Sequence, residues 1–249
     1  MSCATERVNC VAKAKKVLLF VVEGPTEEIA FGILFKRLFS EHAVMFDVVR
    51  GDITTAWLTG DSAKRGGEPN ARNRLRDHLV QHVSRQPYEW RDLLRIVQIA
   101  DTDGAFVEDD SVWEVPDAQG VRYLLDHMEA VDKKTICERN RMKKRALAQL
   151  CSCQAITYGG VKVPYAVYYL SRNMEHALHE CTQDIVDAEK GRMARRFQMR
   201  YKNDLEGFLA FLRSDELAVS GDYAETWRYI GEGCRSLERH SNLHLALPD

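Results

Sequence analysis

The sequence predicts an α/β protein, a mostly parallel sheet flanked by helices, with a helical extension on its C-terminal side. Three observations carry that prediction. Val17–Val22 is an unbroken apolar run (VLLFVV) that stops at Glu23-Gly24-Pro25 and gives way to a helical pattern. Leu94–Ala100 (LRIVQIA) is a second, mainly apolar run, and it ends in Asp101-Thr102-Asp103-Gly104. Val161–Tyr169 (VKVPYAVYY) is a third, leading into Ser171-Arg172-Asn173-Met174-Glu175. Short runs of β-branched and large apolar residues suit strands buried on both faces, as in parallel sheets covered by helices.

Taken in order, the chain supports this plan. Residues 1–14 are expected to be a mobile lead-in, 15–182 the main domain with a helical insertion around 121–150, and 183–249 a helical extension packed on it. Pro25 and Thr26 compete for the start of the first helix, and Glu27 and Glu28 complement its positive end. Ile29, Phe31, Ile33, Leu34, Phe35 and Leu38 give that helix a broad apolar face. Val44–Val49 reads as the next strand, and Asp52 after it is either a further site acid or a turn cap. Residues 60–73 (GDSAKRGGEPNARN) form the clearest loop. Its Lys64, Arg65 and Arg72 either contact phosphate or belong to a solvated connection.

Arg72–Ser84 has a helical stripe of Leu75, Leu79, Val80 and Val83, with His78 and His82 read as a surface or packing pair rather than a metal pair. Residues 106–120 are acidic and read as irregular; they regulate access, hold a cation or point away. Residues 121–150 are charged and mostly helical, and Lys143, Lys144 and Arg145 close the main basic tract. That tract either grips a nucleic-acid backbone or is a solvated face. Pro164 marks an edge position or an irregular start for the third strand. Residues 184–202 are helical and Arg-rich, Leu205–Leu212 is a short amphipathic helix, and the tail from Trp227 to Leu247 has packing spacing.

Composition narrows the function classes. With 249 residues, 45% hydrophobic and 29% charged, the chain can bury a sizeable core. A net charge of -2 removes any global nucleic-acid signature, so a nucleic-acid surface would be a local patch. Seven cysteines, an odd number with no secretory segment ahead of them, do not read as a disulfide framework. Cys151-Ser152-Cys153 lacks the spacing of a zinc ribbon, and its thiols read as buried apolar groups. VLLFVV is far too short to span a bilayer. The expectation is a reduced cytoplasmic protein with no membrane partner.

The chemistry lies at the strand ends. In open α/β sheets, ligands bind outside the carboxyl ends of the strands. Glu23 ends the first strand, with Gly24 allowing a tight turn. Asp101 and Asp103 lie two apart in an extended segment and so point to one side, with Gly104 releasing the chain. If the two strands are neighbours, these acids form an all-oxygen cluster. Clustered carboxylates repel unless a cation joins them, and Mg²⁺ or Mn²⁺ is the natural partner, binding phosphate oxygens as well. Gly24-Pro25-Thr26-Glu27 has neither the Lys nor the Gly spacing of a phosphate loop, so no ATPase is read in this chain.

An apolar strand ending in Glu23-Gly24 with Thr26-Glu27 after it, then a strand ending in Asp101-Thr102-Asp103-Gly104, resembles the Toprim domain. That domain is shared by topoisomerases, bacterial primases, OLD-family nucleases and small RloB-like proteins. Ser171 to His179 resembles, in shortened form, the S-N-x-x-F-E-x-W-x-L-x-H segment of RloB-like proteins, without its proline and aromatic positions. The resemblance runs from Lys15 to His179. It implies a Rossmann-like Toprim fold for 15–182, with Glu23, Asp101 and Asp103 binding one or two divalent ions. It further implies that Glu27 completes a second site or acts as a base, that Glu175 is the next catalytic candidate, and that Ser171 and Asn173 support them.

The implied activity is metal-dependent hydrolysis of DNA or RNA phosphodiester bonds in bacterial anti-phage defence, beside a separate ATPase partner. An RNA-processing Toprim endoribonuclease and a non-catalytic, metal-organised binding module are the other two readings. The length leaves no room for strand-passage domains, so a topoisomerase is not expected, and no zinc domain of a primase is evident.

Overall fold

The computed structural model describes residues 16–48, 70–118, 120–183 and 185–248. Strand β1 (Val17–Val22) is buried at every position. Its alternate residues part to two cores, Leu19 and Val21 to one, Leu18, Phe20 and Val22 to the other. Helix α1 (Pro25–Leu38) has Pro25 in its first turn and Gly24 as N-cap. It seats Ala30, Phe31, Leu34 and Phe35 on the sheet, with the Phe20 and Phe35 ring centroids 4.5 Å apart. Its apolar face is narrower than expected, since Ile33 is 44% exposed. Strand β2 (Ala43–Val48) runs parallel to β1. Helix α2 (Ala71–Val83) starts at Asn70, whose side chain accepts from Asn73 N, and buries Leu75, Leu79 and Val83.

Strand β3 (Leu93–Asp101) lies parallel on the other side of β1. Three short strands follow: β4 (Val112–Glu114), β5 (Arg122–Tyr123) and β6 (Met128–Ala130). They form a small sheet in the order β4-β6-β5. This corrects two expectations. Residues 106–120 are not irregular throughout, and the helix expected from residue 121 begins only at Lys133. Strands of two or three residues are too short to show a period of two, so charge alone dominated the pattern there. Helix α3 (Lys133–Cys151) opens at Asp132, whose side chain accepts from Thr135 N, and packs Ala146, Leu147 and Leu150 on the main sheet.

Strands β7 (Ala155–Tyr158) and β8 (Val161–Leu170) form a hairpin. Its turn is Gly159-Gly160, with φ of 56° and 80°, the left-handed pair that a two-residue hairpin requires. β7 was not expected, although Tyr-Gly-Gly-Val between apolar residues is its signal. Pro164 faces Ala155 of β7, and pairing of β8 with β3 starts only at Tyr165. Then come α4 (Met174–His179), α5 (Asp187–Tyr201), α6 (Leu205–Leu212) and α7 (Tyr223–Ile230).

The main sheet has the order β2-β1-β3-β8-β7, and only β7 is antiparallel to its neighbour. Helices α2, α3 and α7 cover one face; α1, α4, α5 and α6 cover the other. The mostly parallel sheet flanked by helices is therefore as the sequence predicts. β7 pairs with only the first half of β8. The C-terminal tail covers the remaining edge: Tyr169 N donates to Asn242 Oδ1 at 2.8 Å, and Ser241 Oγ donates to Tyr169 O at 2.8 Å. The described cysteines are all free thiols. Among the described residues no helix is long and apolar enough to cross a membrane.

Candidate functional site

Parallel pairing sets three strand ends side by side, in the order β1, β3, β8. The residues that follow these strands meet in a cavity of about 720 Å³. Glu23 and Glu27 enter from the β1–α1 connection, Asp101 and Asp103 from the end of β3, and Glu175 from the start of α4. All five predicted catalytic acids therefore line one cavity. Asn173 lines it too, while its side chain caps α4 by accepting from His176 N at 2.9 Å.

The local backbone explains the placement. β3 ends at Asp101, and the chain turns through Asp103, whose φ is 44°. The two aspartates thus share the cavity through a turn rather than through strand alternation. Arg172, across a bridge from Asp103, has φ 57°. Left-handed backbone at a non-glycine residue costs about 1–3 kcal/mol and persists where the surroundings over-determine it. Here they do: Asp103 N donates to Arg172 O at 2.8 Å, and Arg172 N donates to Thr102 Oγ1 at 2.9 Å. The glycines serve space rather than φ. A Cβ on Gly104 would run into Met128 Sδ and Cε, and one on Gly24 would stand 3.2 Å from Glu27 Oε2.

Lys143 stands among the acids. It comes from α3 with a side chain only 1% exposed; its Nζ is 2.6 Å from Asp103 Oδ2 and 3.6 Å from Glu23 Oε1. Glu23 Oε1 also accepts from Asp101 N at 3.3 Å. Burial pushes the Asp101 carboxyl well above the usual range, the charges of Glu23, Glu27 and Asp103 push it further, and Lys143 opposes them. Glu27 is buried as well, and its carboxyl is raised chiefly by that burial. Hydrogen bonds, including one from Thr26 Oγ1 to Glu27 Oε2 at 3.1 Å, oppose the rise, and the charge of Glu175 adds to it.

The donor set is all carboxylate oxygen, the chemistry suited to Mg²⁺ or Mn²⁺. Asp101 carries charge that burial and its neighbours disfavour, which is the strain that a cation would relieve. Among the described residues, no three His, Cys, Asp or Glu side chains are arranged to enclose an ion, and Lys143 supplies the positive charge at the cluster.

The expected nucleic-acid contacts scatter. Lys64, Arg65 and Asp52 lie outside the described residues. Arg72 ties α2 to α3, donating to Gln149 O at 2.8 Å and to Ser152 Oγ at 2.6 Å. Lys143 is a buried member of the acid site and not a surface contact, which corrects its assignment. Lys144 pairs with Glu108 at 3.0 Å, Arg141 pairs with Asp109, and Arg145 is exposed on α3. Two acids of the 106–120 segment thus pair with two cations of the tract expected to bind a polyanion. Ser171 is wholly buried and accepts from His240 N at 2.7 Å, so it pins the tail rather than facing the cavity.

Sequence reasoning missed two features. One is Lys143 as the counter-charge. Its signal was present: Asn140, Lys143, Leu147 and Leu150 recur at helical spacing on the face that α3 buries. The other is the far wall of the cavity, formed by Asp187, Lys190, Gly191 and Arg195 of α5. No local pattern announces it. Comparison of the chain with protein-family models, with curated proteins and with solved structures returns no match in any of the three.

Proposed function

We propose that this chain is a divalent-metal-dependent nuclease of Toprim type, hydrolysing phosphodiester bonds of DNA or RNA. The observation that carries the reading is the convergence of five carboxylates, from three adjacent strand ends, on one cavity with a buried lysine among them. Such a cavity repels a phosphodiester unless cations are recruited to it. Glu23, Asp101 and Asp103 would hold the ion, and when bound it supplies Lewis-acid stabilisation of charge on the phosphoryl group. Lys143 Nζ would contribute positive charge beside Asp103. Glu27, whose carboxyl burial raises, would complete a second ion site or act as a base that takes a proton from the attacking water and returns it to the leaving oxygen. The resemblance to OLD-family and RloB-like proteins supports the same reading and adds a separate ATPase as the expected partner.

The test is cleavage of DNA and RNA, single- and double-stranded, with Mg²⁺ or Mn²⁺, by the wild type and by Asp103→Ala. Activity that the variant loses supports the proposal and names the substrate. Equal cleavage by both places the activity elsewhere and ends the proposal. One observation favours a second reading, a non-catalytic binding module: Lys143 already neutralises part of the cluster. Metal-stimulated nucleic-acid binding without turnover, with a cognate ATPase added, would select it.

A further inference from the structure

The α5 wall of the cavity has its own chemistry. Asp187, Gly191 and Arg195 fall at four-residue spacing on one face of α5, with Ala188 and Lys190 beside them, and all five line the cavity. The side chains of Lys190 and Arg195 have neither a hydrogen bond nor an ion-pair partner among the described residues, whereas Arg192 of the same helix pairs with Glu189. Between them sits Gly191, in the interior of the helix, where glycine is the least favourable residue after proline. Packing within the chain does not require it, because a Cβ there would meet nothing within 4 Å. A glycine kept in a helix with open space before it suits close approach by something from outside the chain.

The helix is held firmly. Ala194, Phe197 and Tyr201 are buried on its other side, Phe197 meets Phe31 of α1 edge-on at 6.0 Å, and Gln198 Nε2 donates to Ile29 O at 2.5 Å. The free cations are thus presented from a rigid wall. The cavity, about 720 Å³, has the size of a small-molecule cleft. A cleft of that volume suits a nucleotide or two of a single strand. Among the described residues no aromatic ring lines it, so those residues offer bases no stacking platform and their contacts fall on the backbone.

Resting on the nuclease reading above, we infer that Lys190, Gly191 and Arg195 form a clamp for the sugar–phosphate backbone of a single strand, without preference for base sequence. The cations neutralise phosphates flanking the bond that the carboxylate side addresses, and Gly191 lets the strand lie against the helix.

Anisotropy of a short fluorescein-labelled single strand, DNA and RNA in turn, tests this in Ca²⁺ across a salt series. The double variant Lys190→Ala/Arg195→Ala is expected to bind about 10- to 100-fold more weakly. Its plot of log affinity against log salt should be shallower by about 1.4, the counter-ion release of two contacts on single strands. Gly191→Leu separates clamp from scaffold: it should raise the melting temperature by about 2 °C through helix propensity while weakening binding. A wild type that binds neither strand overturns both the nuclease reading and the clamp. A wild type that binds while both variants keep its affinity and salt slope overturns the clamp alone. So does a duplex that binds as tightly as the single strand, or a strong preference among homopolymers.

Discussion

Helices α3 and α5 are both rich in cations, seven Lys and Arg on one and five on the other, but the fold uses them differently. On α3, Lys143 is buried against Asp103 and Glu23, Lys144 pairs with Glu108, Arg141 with Asp109, and Arg139 reaches Asn140 and Tyr123. On α5, Lys190 and Arg195 have no such partners among the described residues and line the cavity. A count of charges along the chain ranks α3 first as a polyanion surface. Place in the fold reverses the ranking: neighbouring groups hold Arg139, Arg141, Lys143 and Lys144 of α3, and its exposed Arg145 does not line the cavity, whereas Lys190 and Arg195 do.

The strongest way to break this contrast is Lys143→Met. Removing one partner of a buried charge cluster typically costs 3–5 kcal/mol, so a loss of about that size is expected in denaturant unfolding at neutral pH. Added Mg²⁺ should restore more stability to this variant than it adds to the wild type, since the acids would then lack their built-in counter-charge. Unchanged stability would show that Lys143 does not hold the cluster together.

Basic side chains also surround the histidine that follows Glu175. His176 follows Glu175 and is pushed down to about 4, first by burial and then by Arg172, with Arg239 and His240 adding to it. Its ordinary value is 6.5, so between these two pH values the unfolded chain binds the extra proton and the folded one refuses it. The contribution is fully present above pH 6.5 and is lost as pH falls toward 4, by about 3 kcal/mol in total. Denaturant unfolding at pH 7 and pH 4.5 should show a steeper acid loss in the wild type than in His176→Gln; parallel losses would refute the assignment.

Gly104→Ala sharpens the link between the small sheet and the site. The new methyl meets Met128 of β6 and Asn140 of α3, so overpacking of about 1–3 kcal/mol is expected. Adding Met128→Ala should recover part of that loss, and its failure to do so would place the strain elsewhere. The smallest effects belong to the exposed end of α3. Lys144→Ala and Arg145→Ala should each change stability by less than about 1 kcal/mol, and should leave single-strand affinity within about twofold of wild type. A large loss of binding in either would restore α3 as the polyanion surface and undo the contrast.

Much of the acid site was legible before any coordinates. Glu23, Asp101, Asp103 and Glu175 each follow an apolar strand, and adjacency in a parallel sheet is enough to bring such strand ends together. Glu27 was legible as the acid that follows Glu23-Gly24 into the helix. The route by which Asp103 arrives was misjudged, because a left-handed residue leaves no trace in an alternation pattern. Gly104 was recognised but for the wrong reason. A glycine in a string does not say whether it serves φ or the room that Met128 needs.

The local grammar of the chain settled what depends on neighbours in sequence. Apolar runs made buried strands, Asp132 and Asn70 opened helices, and acids stood where strands stop. Tertiary packing decided what depends on groups far apart in the chain. It took Lys143 out of a basic tract and set it 2.6 Å from Asp103, 40 residues away in the chain. It paired Lys144 with Glu108 and brought α5 to the cavity that the carboxylates line. The reason is physical. Secondary structure answers to backbone geometry and side-chain periodicity over a few residues. The net charge of a site is a sum over whatever the fold brings within a few ångströms, and that sum is not written in any one stretch of sequence.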